Sequence, residues 1–190
     1  VQVIRAHARR KPMVGMAPCG GISAPATSSA ADIAAARHRM FHVFAKNCWN
    51  YALWTDPAFL GPYPKEAVKA FGADMPTIKS GDMKTIRQPL DFFGMNIYNC
   101  GIVRAGKGGK PEDVPLPTGY GMTTMEWPIT PQALYWGSRF MWERYKKPIV
   151  ITENGMSNTD WISLDGQVHD PQRIDFLTRY LREYRRASED

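Results

Sequence analysis

The stretch PIVITENG, residues 148–155, runs through Ile-Val-Ile to Thr152 and then places a carboxylate, Glu153, directly before an Asn-Gly pair. β-Branched apolar residues favour a buried strand, and Asn-Gly is a strong turn signal. Two interpretations follow for Glu153. It is either an exposed residue of an ordinary surface turn, or a carboxylate that a buried strand presents at its end.

The rest of the chain places this strand in a pattern of alternating strands and helices. Two further apolar runs predict strands at residues 11–18 and 89–99, and residues 146–152 form the third. Helical periodicity is found over residues 2–10, 29–54, a short stretch ended by Gly72, 130–145 and 170–186. Strands that alternate with helices predict right-handed crossovers and a parallel sheet buried on both faces. The predicted fold class is therefore α/β, and a doubly wound sheet and a (β/α)8 barrel both fit this pattern.

The predicted helices begin at recognisable signals. Ser29 and Asp32 stand in a cap-like relation at the start of the second helix. Thr130 and Asp170 each precede a proline and are expected to cap the helices that follow, because proline is favoured at the first helical position. Residues 101–121 are rich in Gly and Pro, which predicts a long loop of the kind that often serves a site.

The composition is that of a globular protein and argues against several classes of partner. Of the 190 residues, 44% are hydrophobic, which is enough for the core of one domain. The net charge of +6 comes from scattered basic residues rather than from one block, so nucleic acid is not an expected partner. No apolar run reaches the ~20 residues that span a bilayer, so a membrane is not an expected partner either.

The cysteines and histidines give no sign of a metal site. Cys19, Cys48 and Cys100 are odd in number and lack CxxC spacing, which disfavours a disulfide framework and favours a reducing compartment such as the cytoplasm, although nothing fixes the localisation. His38 and His42 have the i, i+4 spacing of ligands on a helix, but no HExxH arrangement accompanies them. We therefore expect no bound metal.

Three polar side chains stand at the carboxyl ends of predicted strands. Asn96 and Tyr98 close the second strand, and Glu153 closes the third. In parallel α/β folds the carboxyl ends of the strands meet at one edge, and sites are built there. This placement favours a functional role for Glu153 over a plain turn.

Five blocks of the sequence resemble a known enzyme family. They are WTDPAFLGPYP (54–64), DFFGMNIYN (91–99), EWPITPQALY (126–135), ITENG (151–155) and DGQVHDPQRIDFLTRYL (165–181). In order and spacing they are similar to glycoside hydrolase family 1, the retaining β-glucosidases and β-galactosidases that fold as (β/α)8 barrels. The resemblance implies hydrolysis of β-glycosides through a covalent glycosyl-enzyme intermediate, without a metal or an organic cofactor.

The resemblance also implies roles for four residues. Glu153 matches the catalytic nucleophile, and Tyr98 matches the tyrosine that hydrogen-bonds to it. Asn96 matches a residue that lines the substrate site, and Trp127 matches the aromatic platform for the part of the substrate beyond the cleaved bond. Each role suits its chemistry, because a carboxylate can attack an anomeric carbon, a phenol can orient it, and an indole face suits the C–H face of a pyranose. The other tryptophans that we expect to be packing residues are Trp49, Trp54, Trp136 and Trp142.

Two parts of the family pattern have no counterpart in the sequence. The Asn-Glu-Pro block that carries the acid/base after the fourth strand is absent, and so is the block rich in Trp and Glu around the eighth strand. By position, the resemblance covers the end of the fourth helix through the seventh helix. A barrel typically takes ~250 residues and at least ~200. We therefore expect residues 1–190 to form a single incomplete barrel segment, with about the fifth to seventh strands and no second domain.

The expected function is that of part of a retaining β-glycosidase, which carries the nucleophile, lacks the acid/base and is inactive alone. Its expected partners are a β-glycoside and the missing part of the barrel, on the same or a complementary chain, because an open sheet leaves unpaired edges. Two alternatives stay open. One is a non-catalytic sugar-binding or assembly module derived from the same barrel, and the other is a fragment of a 6-phospho-β-glycosidase.

Overall fold

The computed structural model describes residues 1–190, which form six strands and seven helices. The strands are β1 (Gly15–Met16), β2 (Ser23–Pro25), β3 (Phe92–Asn96), β4 (Gly101–Ala105), β5 (Pro111–Asp113) and β6 (Ile149–Glu153). The helices are α1 (Gln2–His7), α2 (Ala30–Phe41), α3 (Tyr51–Phe59), α4 (Lys65–Phe71), α5 (Asp82–Ile86), α6 (Gln132–Tyr145) and α7 (Pro171–Glu189).

The strands form two separate sheets. The first has the order β1-β3-β6, and both of its strand pairs are parallel. These are the three strands predicted from the apolar runs. Each is shorter than predicted, and β6 ends at Glu153, one residue beyond its predicted end. The α/β class with a parallel sheet is confirmed. The second sheet has the order β2-β4-β5 and was not predicted.

The second sheet corrects the prediction of a long irregular loop over residues 101–121. Strand β4 pairs in parallel with β2 and antiparallel with β5, and α2 packs against this sheet. The sequence contains little signal for strand β5, because β5 is the tripeptide Pro-Glu-Asp, which has no intrinsic preference for a strand. Pairing with β4, rather than local sequence, determines its conformation.

The helix predicted over residues 29–54 is broken in the structure. Helix α2 ends at Phe41, and α3 begins after Asn50, whose side chain accepts a hydrogen bond from the Leu53 amide at 3.2 Å. An Asn cap competes with a continuous helix because its side chain satisfies an amide that the helix would otherwise bond. The apolar periodicity continued across this break and concealed it.

Helix α3 continues through the Asp56-Pro57 pair to Phe59, whereas the prediction ended the helix at residue 54, before this pair. Proline inside a helix removes one backbone hydrogen bond and costs about 3 kcal/mol. The Phe59 ring, at the end of α3, lies 5.1 Å from Phe93 and 5.2 Å from Tyr145, centroid to centroid. Burial of this aromatic cluster favours the extra turn of helix and offsets the cost of the proline.

The predicted starts of α2 and α7 are confirmed, with Ser29 and Asp170 at the cap positions, whereas α6 begins one residue later than predicted, after Pro131. Of the three predicted capping residues, only Ser29 makes a capping hydrogen bond. The Ser29 side chain accepts from the Asp32 amide at 3.1 Å, as expected for a cap. The Thr130 hydroxyl instead accepts the Cys100 amide at 2.8 Å, which connects the start of α6 to the segment after β3. Asp170 adopts a left-handed conformation with φ of 47° and makes no capping bond. Its carboxylate accepts a bond from the Arg173 side chain at 2.8 Å instead, within the first turn of α7.

The main core is built from β3, from β2 and β4 of the second sheet, and from helices α2, α3, α6 and α7. Strand β3 is central, and Phe93, Gly94 and Met95 are buried. Strand β6 lies at the edge of its sheet, and Val150 is 41% exposed. The prediction that the strands are buried on both faces therefore holds for β3 and is wrong for β6.

Asp32 makes the stability of this fold depend on pH. Its carboxylate accepts the Thr27 hydroxyl at 2.6 Å and the Ala105 amide at 2.8 Å, which joins α2 to the end of β4. These bonds, that of Thr27 first, hold the pKa of Asp32 below its ordinary value of 3.8. A carboxylate with a lowered pKa stabilises the folded state above the unfolded pKa, and this contribution is lost as pH falls through the folded pKa.

We expect Asp32→Asn to remove this acid-dependent part of the stability. The free energy of unfolding of the wild-type chain should fall more steeply than that of the variant as pH is lowered below about 4. Urea unfolding of both proteins at several pH values between 7 and 2.5 measures the difference. Parallel pH profiles would show that Asp32 is not the group responsible.

Candidate active site

A bulge in the first sheet determines where Glu153 points. Met95 pairs with Ile151, but Asn96 pairs with Glu153, so Thr152 is an extra residue in β6. Side chains alternate between the two faces of a strand, and residue 153 of a regular strand would share the face of Ile151. The extra residue moves Glu153 to the side of Asn96, at the carboxyl edge of the sheet.

Hydrogen bonds between the two strand ends fix this arrangement. The Thr152 hydroxyl donates to Asn96 Oδ1 at 2.6 Å, and the Asn154 amide nitrogen Nδ2 donates to the Ile97 carbonyl at 2.7 Å. The Ile97 amide in turn donates to the Glu153 carbonyl at 3.0 Å. Asn96 Oδ1 already accepts the hydrogen bond from Thr152. The NH2 group of Asn96 is therefore the part of this side chain that can donate to a ligand.

Tyr98 is the direct partner of Glu153. Its hydroxyl donates a hydrogen bond to Glu153 Oε2. This bond is the main cause that raises the pKa of Tyr98 to about 12, with burial second. The backbone of Tyr98 is also held in place, because its carbonyl accepts the Tyr180 hydroxyl of α7 at 2.7 Å.

Trp127 reaches the same region from a short hairpin, residues 120–129, that we call the tryptophan hairpin. The backbone of Thr123 pairs with that of Trp127, and Glu126 in the turn has a left-handed φ of 59°. The Trp127 side chain is 37% exposed, and its ring centroid lies 5.2 Å from that of Tyr98. The indole face is therefore available to a ligand next to the Tyr98 and Glu153 pair.

One open pocket of about 430 Å³ collects these side chains. Its lining residues are Cys19, Gly20, Gly21, Ile22, Trp49, Asn96, Tyr98, Asn99, Trp127 and Glu153. All four residues singled out from the sequence thus line a single pocket. Glu153 is the only carboxylate in the lining, so it has no acidic partner among these residues.

Trp49 is a pocket residue that the sequence analysis missed. It was expected to pack in the interior, but it is 61% exposed and lines the pocket just before the cap of α3. The Trp49 amide donates to the Asn47 side chain at 2.9 Å, which forms a local turn. The sequence does contain a signal for this exposure. Asn47 and Asn50 flank Trp49, and asparagines of this kind mark a break in a helix.

The other features of the structure do not compete with this pocket. A pocket of about 460 Å³ lies between α6 and α7 beside Ile149, at the amino end of β6. It contains none of the strand-end residues. No group of three or more His, Cys, Asp or Glu side chains is arranged to hold a metal ion. None of the helices combines the length and the apolar character needed to cross a membrane.

The phenol of Tyr98 should report on the charge of residue 153. A carboxylate next to a phenol disfavours the phenolate, because the hydrogen bond is lost and two negative charges would face each other. We expect Glu153→Gln to lower the pKa of Tyr98 from about 12 toward the ordinary value of 10.0. The absorbance of tyrosinate between pH 9 and 12.5 measures this, with Tyr98→Phe as the control that removes the transition. A Tyr98 titration that is unchanged by Glu153→Gln would contradict the contact.

Comparison with known proteins gives consistent matches over the whole chain. The sequence profile described as "Glycosyl hydrolase family 1" matches residues 1–190. Beta-glucosidase A of Thermotoga maritima is 31% identical over 189 residues, which cover 94% of this chain and 41% of the relative. Phospho-cellobiase of Klebsiella oxytoca is 28% identical over 188 residues, which cover 93% of this chain and 38% of the relative.

A solved structure matches the fold to the same extent. The family 1 β-glucosidase from Thermotoga maritima in complex with isofagomine lactam superposes with a TM-score of 0.74 at 30% sequence identity. The match covers 99% of this chain and 41% of that chain. The chain therefore spans about two fifths of the length of the relatives that it matches.

Proposed function

Because the chain belongs to glycosyl hydrolase family 1, we propose that it supplies half of the active site of a retaining β-glycosidase, with Glu153 as the nucleophile. The observation that carries the proposal is the contact of Glu153 with Tyr98 in a pocket that Asn96 and Trp127 also line. A carboxylate held by a phenol beside an amide donor and an aromatic face is the set of groups that a bound pyranose requires.

In the proposed reaction, Glu153 attacks the anomeric carbon of a β-glycoside. The bond from this carbon to the leaving oxygen breaks, and that oxygen takes a proton from a carboxylic acid about 5–5.5 Å from the nucleophile. Water then adds to the anomeric carbon, gives its proton back to that group, and the bond to Glu153 breaks. Tyr98 occupies Oε2, so Oε1 is the atom left to attack.

The other pocket residues are assigned to the substrate. The Asn96 amide donates to a sugar hydroxyl, and Trp127 stacks on the aglycone. Trp49 forms a further aromatic wall next to the loop that follows β1. Aromatic faces of this kind select ring-shaped aglycones, because they bury the apolar C–H or π surface of a ring.

The acid/base is proposed to come from outside the pocket lining described above, since Glu153 is its only carboxylate. We assign β1, β3 and β6 to the fifth, sixth and seventh strands of a (β/α)8 barrel. Three parallel strands in this order, in a chain that spans 41% of its β-glucosidase relative, support this assignment. The remaining strands would then be supplied by another part of the same enzyme or by a complementary chain, and the 190 residues alone would be inactive.

A phosphorylated substrate is the second candidate. It is favoured by the match to a phospho-cellobiase over 93% of this chain. Parallel assays with a β-glucoside and its 6-phosphate decide between the two.

The test uses a completed barrel, in which the missing segments are supplied from the Thermotoga maritima relative by fusion or co-expression. We expect 4-nitrophenyl β-glucoside to be hydrolysed, and proton NMR of the first turnovers to show the β-anomer of the free sugar. The α-anomer would exclude the retaining mechanism. Binding of the sugar without any hydrolysis would instead support a non-catalytic sugar-binding module.

A further inference from the structure

Ser157 joins the loop that follows Glu153 to the tryptophan hairpin. The Met125 amide donates to the Ser157 hydroxyl at 3.1 Å, and the Thr124 amide donates to the Ser157 carbonyl at 3.4 Å. Both donors lie at the tip of the hairpin, only two or three residues before Trp127. Within the hairpin, the Thr123 hydroxyl also accepts the Met125 and Trp127 amides, both at 3.3 Å. Ser157, four positions after the carboxylate, adds support to this turn from outside the hairpin.

Arg173 fixes the position of Ser157 from helix α7. Its Nε donates to the Met156 carbonyl at 3.2 Å, directly before Ser157. Its two terminal nitrogens donate to the two carboxylate oxygens of Asp160 at 2.7 and 2.9 Å. A bidentate pair of this kind fixes direction as well as distance. Arg173 therefore holds residues on both sides of Ser157 against the first turn of α7.

Helix α7 is also the part of the fold that fixes Tyr98. The Tyr180 hydroxyl donates to the Tyr98 carbonyl at 2.7 Å and accepts the Thr130 amide at 3.0 Å. Helix α7 thus supports Tyr98 and the loop after Glu153 directly, and it supports the tryptophan hairpin through Ser157. Few apolar contacts could replace this support at the hairpin, because the side chains of Met122 and Met125 are 50% and 57% exposed.

We propose that Ser157 and Arg173 are positioning residues that set the separation of Trp127 from Glu153 and thereby the affinity for ring-shaped aglycones. Neither residue lines the pocket, so both act through the backbone that they hold. The proposal rests on the proposed function, because it assigns Trp127 to the aglycone.

The inference predicts an effect that depends on the leaving group. An aryl glucoside has a ring that contacts Trp127, whereas the fluoride of β-glucosyl fluoride is a single atom that cannot stack. Loss of the Ser157 hydroxyl removes one hydrogen bond that holds the hairpin. The affinity for the aglycone ring that stacks on Trp127 should therefore fall by about threefold to tenfold. In the completed barrel, Ser157→Ala and Arg173→Lys should raise KM for the aryl glucoside by this factor. They should leave kcat/KM for the fluoride unchanged, and Ser157→Thr should restore the aryl KM.

The matched control is Arg179→Lys. Arg179 lies on the same helix and pairs with Asp175 at 2.6 Å on the exposed face, far along the sequence from the hairpin. Arg179→Lys should change neither KM for the aryl glucoside nor kcat/KM for the fluoride. Equal effects of Ser157→Ala on both substrates, or no effect on either, would overturn the inference. If the wild-type barrel hydrolyses neither substrate, the proposed function itself fails.

A second measurement needs only the 190-residue chain. Amide hydrogen exchange at Thr124 and Met125 should be faster in Ser157→Ala than in the wild type and should return toward the wild-type rate in Ser157→Thr. Unchanged exchange at both amides would overturn the inference independently of catalysis.

Discussion

Replacement of Glu153 by glutamine is expected to lower kcat of the completed barrel by about 10⁴-fold or more, because an amide cannot form the covalent intermediate. The same change should leave the melting temperature nearly unaffected. The Glu153 side chain is exposed, and its contact with the rest of the chain is a hydrogen bond from Tyr98 rather than packing in the core. Hydrolysis of 4-nitrophenyl β-glucoside and calorimetry measure the two quantities.

The control is Glu112→Gln, which removes another exposed carboxylate outside the pocket. Glu112 pairs with Arg104 at the surface, at 3.3 Å. The kcat and the melting temperature of the Glu112→Gln variant should match those of the wild type. A Glu153→Gln enzyme that keeps more than a tenth of the wild-type kcat would exclude Glu153 as the nucleophile.

The largest expected effect on stability comes from Asp56, which does not line the pocket. This buried carboxylate accepts Arg144 Nε at 3.0 Å and the Tyr145 hydroxyl at 2.7 Å, which ties α3 to the end of α6. Removal of Asp56 leaves the charge of Arg144, whose side chain is only 31% exposed, without its partner. We expect Asp56→Ala to lower the free energy of unfolding by about 2–4 kcal/mol, as measured by urea unfolding of the chain at pH 7.

Asp175→Ala is the matched comparison for this change. It removes a carboxylate from an ion pair with Arg179 in which both side chains are exposed, and solvent screens such a pair, so little stability should be lost. If both variants lost the same stability, the buried network around Asp56 would not be a major support of the fold.

The parallel sheet could be predicted from the sequence because its strands are short apolar runs separated by helices. The residues at strand ends could also be predicted to meet, since the carboxyl ends of parallel strands lie at one edge. Asn96, Tyr98 and Glu153 do so in the structure. The bulge at Thr152 could not be predicted, although it determines the side on which Glu153 lies, because it depends on pairing with β3.

The predictions that failed depended on contacts distant in the sequence. Strand β5 forms because β4 is beside it, and α3 extends through Pro57 because Phe59 packs on Phe93 and Tyr145. Trp49 lies in the break between α2 and α3, which the apolar periodicity does not reveal, and it is exposed. Periodicity describes the face of one element, and it carries no information about which neighbour covers that face.

The most direct test of the account is covalent labelling of the completed barrel with 2,4-dinitrophenyl 2-deoxy-2-fluoro-β-glucoside. The fluorine slows turnover of the glycosyl-enzyme, and the dinitrophenolate leaves without help from an acid. The account predicts one fluoroglucosyl group per chain, on the peptide that contains Glu153, and none in the Glu153→Gln variant. A label on another carboxylate, or a bound but unreacted glycoside, would contradict the assignment of Glu153 as the nucleophile.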